Sequence, residues 1–179
     1  MLVDPNNYID HNQLPILSGL IEEFVKQDVS KYWIDVGEKN VGVSINWKSI
    51  IMYDTTNNYQ VSDELKLAIP NIVDYATTMP GLHRITVNFL TGFSFMPIHT
   101  DTDYLPDYDT SSTNYNIILP ITDFGQSIVD YRVIRNKKGD ALIFDGQVPH
   151  GAINDTTGTR ITIYLLVDKT RFTNDSTER

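Results

Sequence analysis

Two of the four histidines have neighbours that suit them to hold a metal ion. His99 precedes Asp101 by two residues in an extended segment, and side chains two apart on a strand point to the same face. His150 comes farther along the chain, after a short strand and a turn. Two histidines and one carboxylate on one face of an ion can bind Fe(II) and leave three octahedral positions open. The pattern therefore predicts His99, Asp101 and His150 as metal ligands and catalytic residues.

An arginine follows His150 at the start of the last strand-like segment. Arg160, Thr162 and Tyr164 alternate with apolar residues, so they are expected to share one polar face of that strand. A bidentate co-substrate and dioxygen can fill the three open metal positions, and the commonest such co-substrate is 2-oxoglutarate. Its far carboxylate needs a fork-shaped cation that is always charged. We predict that Arg160 binds this carboxylate and that Thr162 adds a hydrogen bond.

These residues together resemble the Fe(II)/2-oxoglutarate-dependent dioxygenase superfamily. Residues 139–168, with the run from Gly139 to Asp145, His150, Asn154, Arg160 and the final Leu166-Val167-Asp168, are most similar to its aspartyl/asparaginyl β-hydroxylase branch, which includes small amino-acid and proline hydroxylases. The resemblance covers roughly residues 81–168. It implies a double-stranded β-helix fold, Fe(II), 2-oxoglutarate as co-substrate, and O2. The implied reaction hydroxylates an amino acid or a peptidyl residue and releases succinate and CO2.

The chain departs from that branch on the strand around Asn116. Members of the branch often carry a basic residue and a histidine where this sequence has Asn116 and Ile118. The sequence therefore does not decide which groups would hold the near carboxylate of 2-oxoglutarate. The candidates are Asn88, Tyr115 and Asn116.

The acidic segment that follows Asp101 could be a calcium-binding loop, a lid over the site or a solvated loop. It lacks the glycine and the terminal glutamate of a calcium-binding loop. We expect a lid over the site, with Tyr104 and Tyr108 facing the substrate, because loops beside a rigid scaffold usually supply specificity. A solvated loop without that role is the alternative.

The remaining pattern predicts a mainly β protein with flanking helices. One helix is expected over Leu14 to Lys26, and another from Ser62 to Thr78 that Pro70 kinks or splits. Strand-like segments are, in order, 41–47, 85–89, 116–121, 127–134, 141–144 and 160–167. Many short strands predict a double-stranded β-helix, the jelly roll of cupin-like proteins, with helices on the outside of one sheet. We interpret residues 1–168 as one domain, with a helical region over about 1–80, a catalytic core over about 81–168 and a flexible tail over 169–179.

Composition narrows the function further. The 179-residue chain has 23 acidic and 14 basic residues, a net charge of −9, and no cysteine. This balance disfavours nucleic-acid and membrane partners, and the missing thiols exclude zinc–thiolate and iron–sulfur sites. We expect a cytoplasmic enzyme whose substrate is a small amino acid or a peptide, more readily neutral or basic than acidic. The alternative is a non-catalytic cupin-like jelly roll that binds a metal or a small ligand. His11 and His83, together with Trp33 and Trp47, are assigned to surface or packing roles.

Overall fold

A computed structural model describes residues 13–35, 46–56, 59–101 and 114–168. Three α-helices lie in the first half of the described chain: α1 (Gln13–Val25), α2 (Asp63–Ala68) and α3 (Pro70–Thr77). The Ser62 hydroxyl caps α2 by accepting a hydrogen bond from the Leu65 N–H, and Pro70 begins α3. The predicted split of the second helix at Pro70 is therefore confirmed. None of the described helices is long and apolar enough to cross a membrane.

The described residues also form ten strands. These are β1 (Ile34–Asp35), β2 (Trp47–Asp54), β3 (Leu82–Thr91), β4 (Ser94–His99), β5 (Asn114–Pro120), β6 (Gln126–Val129), β7 (Arg132–Arg135), β8 (Leu142–Asp145), β9 (His150–Asn154) and β10 (Thr159–Asp168). They build a six-stranded sheet in the order β1-β2-β3-β10-β5-β8 and a four-stranded sheet in the order β4-β9-β6-β7. Every neighbouring pair is antiparallel.

The strand order identifies the fold as a double-stranded β-helix. From β3 onward the chain passes back and forth between the two sheets, and only β6 and β7 are consecutive strands within one sheet. The first strand of this series, β3, pairs with the last, β10, and the second, β4, pairs with β9. An antiparallel ribbon wound on itself in this way is a jelly roll of the cupin type. The predicted fold class is therefore confirmed.

Strand β10 shows how one sequence pattern serves both faces of the large sheet. Ile161, Ile163 and Leu165 pack on the outer face, against a core cluster to which the helices contribute Leu17, Ile21 and other side chains. The alternate residues point between the two sheets. The helices thus cover the outside of the large sheet, as predicted, and leave the polar face of β10 for the barrel interior.

Two predicted strands need correction. The segment 127–134 is a hairpin rather than one strand, because β6 and β7 pair across a two-residue turn at Asp130 and Tyr131. Both turn residues have positive φ, 51° and 59°, as a type I′ hairpin turn requires. The alternation of polar and apolar residues continues through the turn and concealed it. Of the predicted strand 41–47, only Trp47 lies in a described strand, since 41–45 fall outside the described residues; β2 instead runs on to Asp54.

Neighbouring residues on α1 give a test of this packing. Leu17 is 0% exposed in the core cluster, whereas Ile16 is 51% exposed. We expect Leu17→Ala to lower the free energy of unfolding by about 2–5 kcal/mol, because it removes buried methyl groups and leaves a cavity. Ile16→Ala should change it by less than about 1 kcal/mol. Urea unfolding followed by circular dichroism measures both, and equal effects would show that α1 does not pack as described.

Candidate metal centre

The structure brings His99, Asp101 and His150 together at one end of the barrel. β4 ends at His99 and β9 begins at His150, and the two residues are partners across the antiparallel ladder. Their ring centroids lie 4.5 Å apart. Asp101 follows β4 by two residues, and the ligand atoms that the three residues offer all lie within 4.8 Å of one another. With two neutral imidazoles and one carboxylate, the cluster carries one negative charge and suits a divalent cation.

Hydrogen bonds to the backbone fix the tautomer of both histidines. The Nδ1 atom of His99 lies 2.7 Å from the Pro97 carbonyl oxygen, and that of His150 lies 3.0 Å from the Val148 carbonyl oxygen. A carbonyl oxygen only accepts hydrogen bonds, so Nδ1 of each ring carries the hydrogen and donates it. In the neutral ring Nε2 then keeps its lone pair, which is the form that binds a metal.

Two donors hold the carboxylate of Asp101 by one oxygen. Its Oδ2 accepts a hydrogen bond of 2.7 Å from Asn116 Nδ2 and one of 2.6 Å from the Tyr164 hydroxyl. The other oxygen, Oδ1, lies 3.5 Å from His150 Nε2. Because Oδ2 is already bonded twice, Asp101 is arranged to offer a metal only Oδ1.

Tyr164 is a dependable donor to Asp101. Burial raises the pKa of its phenol well above the usual value of 10, and the negative charge of Asp101 raises it further. The phenol therefore stays protonated throughout the neutral and mildly alkaline range. Its ring also stacks on His150, with centroids 6.2 Å apart and planes 16° apart.

Aromatic rings enclose both imidazoles. Trp47 stacks on His99 at 6.1 Å between centroids, and Phe144 packs against His150 at 5.1 Å. Trp47 Nε1 donates to Asn88 Oδ1, so the indole is itself fixed in place. These apolar walls exclude water from one side of the cluster and hold the rings in one orientation.

The predicted carboxylate-binding residues lie deeper between the sheets. Arg160 is 1% exposed, and Thr162 is buried beside it. The Arg160 guanidinium donates to Ser127 Oγ over 2.8 Å and, more weakly, to Thr162 Oγ1 over 3.4 Å. Its Nε has no hydrogen-bond partner among the described residues, and neither does Nδ2 of the buried Asn136, which bonds to Ser127 through its Oδ1.

The three candidates for the near carboxylate divide between two faces. Asn88 and Asn116 point into the barrel: the first bonds to Trp47 and Ser49, and the second to Asp101. Tyr115 lies on the opposite face of β5 and packs against the helix-covered core. The structure therefore corrects the prediction for Tyr115, because neighbouring residues of a strand point in opposite directions. The proposed substrate residues Tyr104 and Tyr108 lie outside the described residues.

Three residues at this site were not predicted. The sequence pattern assigns Trp47 to packing and Ser127 to a strand, with no role at the site. Tyr164 had a usable signal, since it shares the polar face of β10 with Arg160 and Thr162. Trp47 and Ser127 had none, because their contacts join strands that are far apart in the sequence.

Comparisons with known proteins find similarity at a low level. No protein-family model matches the chain, and no curated protein matches it by sequence. The cupin domain of Cnp3 from Schizosaccharomyces pombe is 10% identical with a TM-score of 0.46, and covers 70% of this chain and 66% of its own. KdgF from a Halomonas species is 13% identical at a TM-score of 0.46, covering 84% and 94%. A predicted oxalate decarboxylase from Thermotoga maritima is 12% identical at 0.43, covering 68% and 80%. The fold assignment itself rests on the strand order.

Metal binding should depend on the cluster and not on histidine in general. We expect His150→Ala to weaken Fe(II) or Mn(II) binding by about 100-fold or more, because losing a ligand costs more than losing an outer partner. His83→Ala is the matched control, since that ring bonds to Thr55 Oγ1 on another part of the sheet. Anaerobic titration calorimetry measures both, and equal affinities in the two variants would contradict the site.

Removing one hydroxyl group tests how Asp101 is held. Tyr164→Phe keeps the ring against His150 but deletes the hydrogen bond to Asp101 Oδ2, so metal affinity should fall by about 10-fold. The melting temperature without metal should change little in comparison. An unchanged metal affinity would show that Asn116 alone orients the carboxylate.

Proposed function

We propose that this protein is an Fe(II)- and 2-oxoglutarate-dependent dioxygenase that hydroxylates an amino acid or a peptidyl residue. The observation that carries the proposal is a buried cation without a counter-ion: among the described residues, Arg160 has no carboxylate partner. The cation lies in the same barrel interior as a 2-His-1-carboxylate cluster, which would hold the Fe(II).

An unpaired buried guanidinium is costly unless a ligand compensates it. Burial lowers the pKa of Arg160 to about 10, so the group is still charged at neutral pH although water no longer solvates it. Its partners, Ser127 and Thr162, are neutral hydroxyls, and its Nε is unused. A carboxylate would supply both the missing negative charge and an acceptor for the free N–H.

The spacing of the site suits a short dicarboxylate. Ser127, which holds the guanidinium, pairs with Ala152 on β9, and Val129 pairs with His150. Ser127 therefore lies two residues along β6 from Val129, the residue opposite His150. At strand spacing this is a distance of about 7 Å. Gly125 leaves room for the Arg160 side chain, because a Cβ there would lie 2.6 Å from Arg160 Cδ. An acid with one end at the metal and the other at Arg160 spans this interval.

Asn88 is the best-placed described residue for the near end of that acid. Its Oδ1 accepts from Trp47 Nε1 at 3.2 Å and from Ser49 Oγ at 2.7 Å, which fixes the orientation of the amide. Its Nδ2 makes no hydrogen bond with a described residue and is left to donate to a ligand inside the barrel. Asn116 instead orients Asp101.

When bound, Fe(II) would activate O2, and the overall reaction converts substrate C–H, 2-oxoglutarate and O2 into substrate C–OH, succinate and CO2. The protein's own residues bind and orient the ion and the co-substrate. His99, Asp101 and His150 would hold the ion, and Arg160 would bind the far carboxylate of the co-substrate. Trp47 and Phe144 keep water away from the imidazoles.

The same barrel would also serve a non-catalytic cupin-like protein that holds a metal ion alone. That role explains the His–Asp–His cluster but gives no reason for an unpaired buried arginine. The two functions therefore differ in what Arg160 binds.

Replacing the buried cation tests this difference. Arg160→Met should raise the dissociation constant for 2-oxoglutarate by about 100-fold or more, because it removes charge-assisted hydrogen bonds, and metal affinity should stay within about threefold of wild type. Lys26→Met, at the exposed residue that follows α1, is the control. Calorimetry with the Mn(II)-loaded protein measures binding, and succinate release with Fe(II) and ascorbate measures turnover. Wild-type protein that binds metal but has no affinity for 2-oxoglutarate would contradict the oxygenase and favour the non-catalytic role.

A further inference from the structure

Strand β7 and the turn that follows it form a basic run in an acidic chain. Residues 131–139 contain four basic residues and no acidic one, in a chain with 14 basic and 23 acidic residues. All four are exposed: Arg132, Arg135, Lys137 and Lys138. Lys138 pairs with Glu22, whereas the other three make no ion pair with any described residue. A basic surface thus stands out on a protein of net charge −9.

This basic surface adjoins the metal centre. Across the small sheet, His150 pairs with Val129, and Val129 pairs with Arg132. Cross-strand partners point to the same face, so Arg132 lies on the inner side of the sheet, about 10 Å from His150 between Cα atoms. Arg132 is nevertheless exposed, because β7 is the outer strand of the small sheet. Its guanidinium can therefore meet a molecule that enters the barrel at the metal end.

An aromatic residue in a strained conformation forms the tip of the hairpin. Tyr131 is 71% exposed with φ of 59°, in the left-handed region that side chains other than glycine rarely adopt. Glycine is the usual residue at this position of such a turn. A bulky side chain in an unfavourable conformation, turned to solvent beside the metal centre, indicates a contact that compensates the strain.

The backbone of β7 is also open to a partner among the described strands. In a hairpin with a two-residue turn, the closing pair Val129–Arg132 exchanges both hydrogen bonds, and every second pair repeats this. The Asn136 N–H donates to the Gly125 carbonyl, as this alternation requires. The N–H and C=O groups of Val133 and Arg135 then face away from β6, where an extended chain can pair with them.

We propose that β7 docks an extended peptide substrate rich in acidic residues, with its carboxylates on Arg132 and Arg135 and an apolar side chain on Tyr131. The stretch from Tyr131 to Arg135 spans about 13 Å, which is longer than a free amino acid but suits a peptide strand. The inference rests on the proposed function only for the fate of the peptide. It replaces the expectation of neutral or basic substrates, because the charge near the site differs in sign from the net charge.

Paired synthetic peptides test the docking. Two short peptides with the same Thr/Val framework carry glutamate or lysine at two positions three residues apart, so that one charged side chain lies on each face of the strand, as Arg132 and Arg135 do. They are titrated into the full chain while backbone amide signals are recorded. We expect the acidic peptide to bind with salt-dependent affinity, to shift the β7 amides and to slow hydrogen exchange at Val133 and Arg135. Equal binding of both peptides, shifts elsewhere on the surface, or no binding by the acidic peptide would overturn the proposal.

Charge reversal provides the matched control. Arg132→Glu with Arg135→Glu should weaken binding of the acidic peptide by about tenfold or more, and it changes the net charge by the same amount as Lys26→Glu with Lys66→Glu on the helical side. The helical-side double variant should bind the peptide within about twofold of wild type. Similar losses in both would indicate only an effect of net charge and would overturn the proposal.

Tyr131→Gly separates docking from folding. Because glycine relieves the strained conformation, this variant should melt at a higher temperature than wild type and yet bind the acidic peptide more weakly. Unchanged peptide binding would exclude a role for the aromatic ring. These binding measurements need neither iron nor turnover. A failed succinate assay would therefore contradict the proposed reaction without affecting the docking surface. Failed peptide binding would contradict the docking surface without affecting the proposed reaction.

Discussion

The alternation of side chains along β10 is the constraint on which both the core and the site depend. This strand is central to the large sheet and pairs with β3 on one side and β5 on the other. Its outward residues are apolar and anchor the helices, and its inward residues, among them Arg160 and Tyr164, form the polar interior. A slip of one residue in this register would place the guanidinium in the apolar core and isoleucines around the metal ligands. Burial of the outer face therefore fixes the geometry of the inner one.

A polar barrel interior is stable only when its charges are matched. The carboxylate of Asp101 is stabilised by two donors, and the histidines lose no hydrogen bond because backbone carbonyls accept from Nδ1. The unmatched buried groups of the described residues are two donors, Arg160 Nε and Asn136 Nδ2, and one acceptor, Asn116 Oδ1, on the amide that bonds to Asp101. A metal-chelating acid would join the cation-binding cluster at the mouth of the barrel to the unused donors deeper inside. The charge pattern thus favours a bidentate, anionic ligand over a metal ion alone.

Part of the cluster could be predicted from local signals, whereas His150, 49 residues after Asp101, could be predicted only through its spacing in the family resemblance. His99 and Asp101 are two residues apart, and the face of β10 can be read from alternation within one segment. Trp47 and Ser127 could not be found in this way, since each meets its partner across the barrel, on a strand of the other sheet. Tyr115 shows the reverse error: its side chain has the right chemistry, but strand alternation turns it to the helix-covered face. The hairpin in 127–134 was missed because its turn residues, Asp130 and Tyr131, are not the glycine-containing pair that marks such turns.

Strand β6 orders the parts of the site along one axis. Ser127 holds the guanidinium at the deep end, Val129 lies beside His150 at the metal, and the strand ends in the exposed turn with Tyr131. In the proposed arrangement the co-substrate occupies the deep position, and a peptide paired with β7 lies beside the barrel as an added strand of the small sheet. Ser127 and Val129 face the barrel interior, whereas β6 reaches the peptide only through β7. The two-residue period of side chains along β6 thus places the co-substrate and the metal on the inner face of the same strand.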